Sequence, residues 1–496
     1  MVTSFGENNL YRLFSQLYKT LVLCPRLGFY YLKNKIMAKF NEKTTTKTTN
    51  HEGGVAYTQS AEQELYLLVC NSLLENKFYE KSKDQMERLK NLITKVDKQF
   101  LCDLIVYVRE KMYLRSITHV LVVELARLHK GVASDVIERV CQRPDDMTEI
   151  LSYQLNTYGK PIPNQIKKGL AKAFLKFDEY KLAKYNRNEK VSLKDVIFLC
   201  HVKGNELIKK LIDDKLEIPY TWETELSEKG NNREVWESLL NSNKLGYMAL
   251  LRNLRNILNV CGGDIIHKVV ERLQNQEEVE KSKQLPFRFW SAYRELQEND
   301  NPMTSLVLGA LDKACGYSVK NFKLSGVSLI ASDVSGSMQN SISERSKIEM
   351  IDIGLVLQGM AKLISPMSIT GIFGNTFKVK NYPAGSVFSP VLNYREGEVG
   401  YSTNGYLTIK YLNDTKYKVD NILLFTDSEM YGGSIQSELN EYKKNINKDV
   451  KVFLFDLAGY STTPLLENSV YTIGGWSDKI FDYIEATEKP VRKLIS

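Results

Sequence analysis

From about residue 56 to residue 320 apolar side chains recur every three or four positions, in segments 60–74, 85–96, 98–113, 118–130 and 133–141 and onward. That spacing predicts a succession of short amphipathic helices. Short connections bearing Gly, Pro, Asn or Asp, such as Lys130-Gly131 and Arg143-Pro-Asp-Asp146, separate them. Helices joined this closely pack as antiparallel pairs, and a long run of pairs makes a HEAT-like solenoid, here without a clean sequence repeat. The pattern then changes. Compact apolar runs at 327–331, 368–373, 421–426, 451–456 and 469–473 alternate with helical segments, which predicts a doubly wound, mainly parallel sheet. One of those helices is expected over 342–364, from Met350, Ile353, Leu357, Met360 and Ile364. The stretch 374–400, with Pro383, Gly385 and Pro390, is expected to be irregular. The chain is thus a multidomain α plus α/β protein, with a helical-repeat domain at 56–323 and an α/β domain at 324–496.

The first residues differ from both. Leu10, Leu13, Leu17, Leu21 and Leu23 outline a short amphipathic helix, which Cys24-Pro25-Arg26 ends too early to span a bilayer. Glu7, Arg12 and Lys19 interrupt any signal-peptide core, so 1–36 is expected to be a dispensable leader, with Met37 an alternative start. A polar linker at 37–55 follows, and its Thr- and Lys-rich part, 41–50, is expected to bury too little surface to order itself.

Composition narrows the chemistry. Hydrophobic residues at 43% and charged residues at 25% are those of a globular protein, and a net charge of +8 favours an anionic partner. Seven scattered cysteines without a Cys-x-x-Cys pair argue against a disulfide framework or a zinc site and for a reducing cytoplasm. There is no Gly-x-x-x-x-Gly-Lys-[Ser/Thr] loop and no His-Glu-x-x-His, and the five histidines are dispersed, so a non-enzymatic protein is expected.

One stretch carries metal chemistry. In Ser328-Leu-Ile-Ala-Ser-Asp-Val-Ser-Gly-Ser-Met338 an apolar run ends in Asp333, Ser335 and Ser337, with Gly336 allowing a tight turn. Three oxygens presented after a strand suit a hard divalent cation such as Mg²⁺. Further oxygens are available from Asp427, at the end of 421–426, and from Thr403 in a turn-prone loop. These five residues in this order resemble the metal-ion-dependent adhesion site of von Willebrand factor A domains. The resemblance implies one bound Mg²⁺ with a position left open for a partner's acidic oxygen. Where that family has Asp after the Thr, this chain has Asn404, which keeps a carbonyl oxygen but loses a charge.

Two segments of the helical half carry cations. Between residues 158 and 203, Lys167, Lys168, Lys172, Lys184 and Arg187 are interleaved with Tyr158, Phe174, Phe177, Tyr180 and Tyr185. Such a patch can meet phosphates and stack bases, although a solvated lysine face over core aromatics gives the same pattern. Further on, a helix with Tyr247, Leu250, Leu251, Leu254 and Leu258 buried would line up Arg252, Arg255, Asn256 and Asn259 on another face.

This helical half is similar to the TROVE domain of the Ro autoantigen family. The similarity lies in Glu52-Gly-Gly54, the Lys167-Lys-Gly-Leu-Ala-Lys-Ala-Phe174 run, Leu193-Lys-Asp195, Cys200-His-Val-Lys203 and above all Met248-Ala-Leu-Leu-Arg-Asn-Leu254. In that family an A domain follows directly, as here. The resemblance implies a ring of HEAT-like repeats closed by the A domain. It implies small non-coding, Y-like RNA on the basic outer surface, single-stranded 3′ ends of misfolded RNA in the central hole, and RNA quality control, with an exoribonuclease engaged through the RNA. By motif position the outer contacts fall on Lys184 and His201, with Asn188, beside Arg187, where the family has a second basic residue. Two other readings remain open: a Mg²⁺-dependent nuclease using Asp333 and Asp427, and a protein-interaction module whose A domain grips an acidic ligand without RNA.

Overall fold

The computed structural model describes residues 46–488, except 73, 76, 188, 243, 320–321, 345 and 467–469. The leader 1–36, the start of the polar linker and Asn188 lie outside those residues. Strands β1 (Lys47–Thr49), β2 (Val55–Thr58), β3 (Ser328–Asp333), β4 (Ser368–Phe373), β5 (Phe377–Val379), β6 (Asn421–Thr426), β7 (Lys451–Asp456), β8 (Thr462–Thr463) and β9 (Tyr471–Gly474) form two sheets among the described residues. Their orders are β1-β2-β8 and β5-β4-β3-β6-β7-β9.

Helices succeed one another from Ala61 to Cys315, as the three-four spacing predicts. The larger sheet is parallel from β4 through β9, with β5 an antiparallel edge strand. That edge strand falls inside 374–400, expected to be irregular. The expectation failed because three residues, only partly buried, give too short a pattern to recognise. A second departure follows β3. The helix expected from 342 begins at Met350, after a 3₁₀ turn, Gly336–Gln339. Its start is set by a capping box, in which the Asp352 carboxylate accepts from the Glu349 N–H at 2.9 Å.

The third departure concerns the polar stretch 41–50. Its last residues are ordered as β1, because the turn that joins β1 to β2 is held from within. Gly53 takes a φ of 75°, and the Asn50 side chain accepts from the Gly54 N–H at 2.7 Å. The other edge of β2 pairs with β8, Tyr57 opposite Thr463. From residue 46 the linker is therefore part of a hairpin anchored to the α/β domain, whose order comes from borrowed pairing and not from its own apolar content.

The central strands β3, β6 and β7 are buried on both faces, and their period of two divides the core. Ile330, Leu423, Phe425, Phe453 and Phe455 join the helix Met350–Ile364 in a core continuous with that of the helical half. Leu329, Ala331, Ile422, Leu424 and Leu454 face the other way, toward the helices Tyr406–Thr415 and Ile435–Asn445.

The helical run meets the α/β domain at both ends. From its start, the Asn71 side chain accepts from the Gly475 N–H at 2.8 Å, and Arg88 donates to the Gly459 carbonyl at 2.9 Å. From its end, Trp290 and Arg294 donate to the two oxygens of Asp352 at 2.9 and 2.8 Å, and Asp312 accepts from the N–H groups of Val387 and Phe388. The α/β domain thus closes the helical run into a ring. Within the run, Asp146 starts the helix Pro144–Tyr158 and is fully buried between Arg109, Arg115 and His119, each within 3.0 Å of it.

Candidate metal centre and candidate nucleic-acid interface

Asp333 and Thr426 end neighbouring parallel strands, and pairing of Ser332 with Phe425 places them side by side. The Thr426 hydroxyl donates to Asp333 Oδ2 at 2.7 Å, and the Ser335 N–H donates to Oδ1 at 2.9 Å. The 3₁₀ turn then brings the Ser335 and Ser337 hydroxyls to 3.3 Å from each other. Asp427 follows at the end of β6, with Oδ1 accepting from the Glu429 N–H at 3.2 Å. The loop carrying Thr403 is pinned between these elements. The Gly336 N–H donates to the Tyr401 carbonyl at 2.9 Å, and the Tyr431 N–H to the Thr403 carbonyl at 3.1 Å. Asp333, Ser335, Ser337, Thr403 and Asp427 are all buried at this one end of the sheet. Asn404 is occupied structurally, its side chain donating to the Asn375 carbonyl at 3.2 Å.

Two buried carboxylates this close need a compensating positive charge. Burial, then the charge of Asp427, pushes the Asp333 carboxyl up to about 7. Burial likewise raises Asp427, opposed by the Ser337 hydroxyl and the Glu429 N–H. Asp427 Oδ2 is buried without a hydrogen-bond partner. An orphaned carboxylate oxygen beside three hydroxyls fits a hard divalent cation, whose charge would return both acids to their ionised form. Among the described residues no three His, Cys, Asp or Glu side chains gather as a metal cluster, so this donor set is one of two carboxylates and hydroxyls.

Sequence reasoning missed several neighbours of this site. Asp456 ends β7 as Asp333 ends β3, and burial pushes it up to about 6. Its oxygens, however, are taken by the N–H groups of Ala458 and Gly459 and by the Ser428 hydroxyl. The run Phe453-Leu-Phe-Asp456 carried the signal, an apolar strand ending in a carboxylate. Nothing in the sequence pointed to the other neighbours. The turn at 50–54 lies over the site, where His51 donates its backbone N–H to Glu429 at 2.7 Å. Tyr79 donates to the Glu52 carboxylate and stacks on His51 with ring centroids 5.2 Å apart.

The predicted cations divide into paired and unpaired. Lys172 is bound to Asp135 at 2.8 Å, whereas Lys167, Lys168, Lys184, Arg187 and His201 have no acidic partner among the described residues. Lys167 lies close enough to Cys200 for its charge to act on that thiol, which places it beside His201. The helix Leu193–Cys200, started by a Ser192–Asp195 capping box, ends at His201 in the left-handed region with its ring exposed. The aromatic part of the expectation is corrected. Phe174 and Phe177 are core residues, and Tyr158 is engaged by Glu124 and covered by Arg127 at 3.8 Å, so none of the three presents a free face to a base. Tyr180 is exposed as expected, and so are Leu175 and Phe198, which helical spacing had not singled out.

On the helix Tyr247–Val260 the stripe Tyr247, Leu250, Leu251, Leu254 and Leu258 is buried as expected. Its polar face differs in detail. Arg255 is paired with Glu295, Asn256 donates to Asn253 at 3.1 Å, and Asn259 accepts from Asn299 at 3.1 Å. Arg252 is exposed without an acidic partner among the described residues, and its neighbour is Arg288. Burial and then the Arg252 charge lower the Arg288 guanidinium, although solvent reaches it. Arg288 too is exposed and has no acidic partner among the described residues, and two such guanidinium groups near each other attract anions.

The TROVE domain family model matches residues 43–214 and 209–306, together more than half of the chain. Telomerase protein component 1 of Rattus norvegicus is 44% identical over 92 residues, which are 18% of this chain and 4% of that protein. Its counterpart in Mus musculus is 42% identical over 92 residues, with the same shares. The chain therefore corresponds to only a small part of these relatives. The crystal structure of the Deinococcus radiodurans Ro (RSR) protein superposes with a TM-score of 0.58 at 17% sequence identity, covering 86% of this chain and all of that one, so the fold is shared. Among the described residues no helix is long and apolar enough to cross a membrane.

Proposed function

The chain belongs to the TROVE domain family, and from that membership we propose that it is a non-catalytic RNA-binding protein of the Ro type, acting in cytoplasmic RNA quality control. Structured, Y-like RNA lies on the outer helical surface and the single-stranded 3′ end of a misfolded RNA enters the ring. The observation that carries this reading is the separation of unpaired cations into two places. Lys167, Lys168, Lys184, Arg187 and His201 lie on or just after the helices of 164–200; Arg252 and Arg288 lie on the helices Tyr247–Val260 and Pro286–Leu296. Lysine is a hydrated point charge that meets phosphates without reading bases. Guanidinium planes stack on and hydrogen-bond to unpaired bases. An exoribonuclease would be engaged through such an RNA.

The A-type α/β domain holds one Mg²⁺ in this reading, through Asp333 and Asp427 with the hydroxyls of Ser335, Ser337 and Thr403. The cation neutralises the two buried acids and offers a Lewis-acidic position to an acidic protein ligand. Asp333 itself links the ends of β3 and β6 through Thr426, and backbone hydrogen bonds hold the Thr403 loop against them.

Lys184→Ala with His201→Ala is expected to weaken a structured RNA while sparing a short single strand. Arg252→Ala with Arg288→Ala is expected to do the reverse for an RNA with a free 3′ tail. Affinities of both variants for both RNAs test the reading. Equal weakening of both ligands by both pairs would mean one surface, and Mg²⁺-dependent RNA turnover would favour a nuclease.

A further inference from the structure

The helices Tyr247–Val260 and Pro286–Leu296 lie side by side and run in the same direction. Arg255 donates to the Glu295 carboxylate, and Asn299, in the turn just beyond the second helix, donates its side-chain amide to Asn259 at 3.1 Å. Both pairs are separated by the same 40 residues, whereas antiparallel helices would pair a later residue on one with an earlier residue on the other. On the first helix Arg252, Arg255 and Asn259 are three and four residues apart and so share one face. Three rungs therefore follow one another at intervals of roughly one turn, about 5.4 Å. The first holds Arg252 and Arg288, both exposed and without an acid among the described residues. The second is the ion pair of Arg255 with Glu295, also exposed, and the third is the amide pair.

The middle rung is the anomaly, because it puts a carboxylate on a face that otherwise attracts anions. An exposed ion pair adds little to stability, but Glu295 alters what Arg255 can bind. A phosphate approaching Arg255 meets the like charge of Glu295 and is repelled. A neutral base is not. The pair engages Nη1 of Arg255 and Oε1 of Glu295 only, so the remaining guanidinium N–H groups and Oε2 have no partner among the described residues. Side by side they offer donors and then acceptors. Guanine complements that order, since its O6 accepts while its neighbouring ring N–H and amino group donate. Uracil places a second carbonyl where guanine has the amino group, and that oxygen would face the carboxylate.

We propose that Glu295 is a specificity-determining residue of this face: it withholds Arg255 from phosphates and makes the Arg255–Glu295 rung a reader of one unpaired guanine, while Arg252 and Arg288 hold a neighbouring phosphate. This inference rests on the single-strand reading above and deepens it by naming the base.

The test uses the full chain and one hairpin RNA in three forms: without a tail, with a 3′ tail of uridines, and with the same tail carrying one guanosine. Affinities are read by fluorescence anisotropy at several KCl concentrations. Wild type is expected to bind the guanosine tail about tenfold more tightly than the uridine tail. Glu295→Gln is expected to bind the two tails equally, and its slope of log affinity against log salt is expected to rise by about 0.7, because the released Arg255 now meets a phosphate. Adding Arg255→Ala to that variant is expected to return the slope to the wild-type value. Glu298→Gln, which removes a nearby exposed charge, is expected to change neither slope nor preference. Equal binding of the two tails by wild type, a guanine preference that survives Glu295→Gln, or a rise in slope matched by Glu298→Gln overturns the role of Glu295 and leaves the single-strand reading standing. Tails that add nothing to the affinity of the hairpin overturn both.

Discussion

Asp333→Ala is expected to abolish the stabilisation that Mg²⁺ is expected to confer on the wild-type chain, and to leave the helical half folded. A ligand that binds only the native state stabilises by RT ln(1 + [L]/Kd), about 2.7 kcal/mol at a hundredfold excess over Kd. That whole increment is expected to vanish, because Asp333 lies on the strand end that positions Ser335 and, through Thr426, the neighbouring strand. Without metal the variant is expected to lose little. The carboxylate removed is one that burial and Asp427 already disfavour as an anion. Thermal melting at a series of Mg²⁺ concentrations measures both quantities, and a variant that keeps the wild-type shift contradicts the assignment of the site.

A second large effect is expected from Asp146→Ala, in stability and not in metal binding. Asp146 is fully buried and contacts Arg109, Arg115 and His119 at once. It also accepts from the N–H groups of Gln142 and Arg143, each at 2.9 Å. Removing it strands the buried Arg109 guanidinium, which costs about 3–5 kcal/mol. The pH dependence has a definite sign. Burial alone would raise this carboxyl, but the hydrogen bond from His119 and the charges of Arg109 and Arg115 hold it well below the usual carboxylate range. A depressed acid contributes stability that is present in full above its unfolded value of about 4 and is lost as pH falls toward its folded one. Denaturant melts between about pH 6 and pH 3 should therefore fall more steeply for wild type than for the variant over the acid limb.

The two halves of the fold were legible in the sequence because each carries a strong period. Helices follow one another wherever apolar residues recur at three or four, and 368–373, 421–426 and 451–456 are strands over those very residues. The misses have local physical causes. β1 and β5 are three residues long, each the edge strand of a hairpin with the strand next to it in sequence, and three residues are too few to show an alternating pattern. Phe174 and Phe177 sit among lysines in sequence yet face inward, Phe174 on the core face of the helix Asn164–Phe174 and Phe177 in the connection to the next helix. Asp333 and Asp427 were found because each ends an apolar run. His51 and its neighbours in the 50–54 turn were not, since that turn meets Glu429 and Met430 from far away in sequence. Arg288 was likewise invisible beside Arg252, being 36 positions away.

The central claim, that this chain binds RNA through clustered unpaired cations, is tested most directly by a salt titration. Binding of a hairpin RNA with a single-stranded 3′ tail is measured from about 50 to about 200 mM KCl by fluorescence anisotropy. The account predicts saturable binding whose log affinity falls linearly with log salt. Each phosphate contact contributes about 0.7 to 0.9 to the slope, so that replacing Lys167, Lys168 and Lys184 by alanine lowers it by about 2. No saturable binding at the lowest salt, or a slope unchanged by the triple replacement, would contradict it.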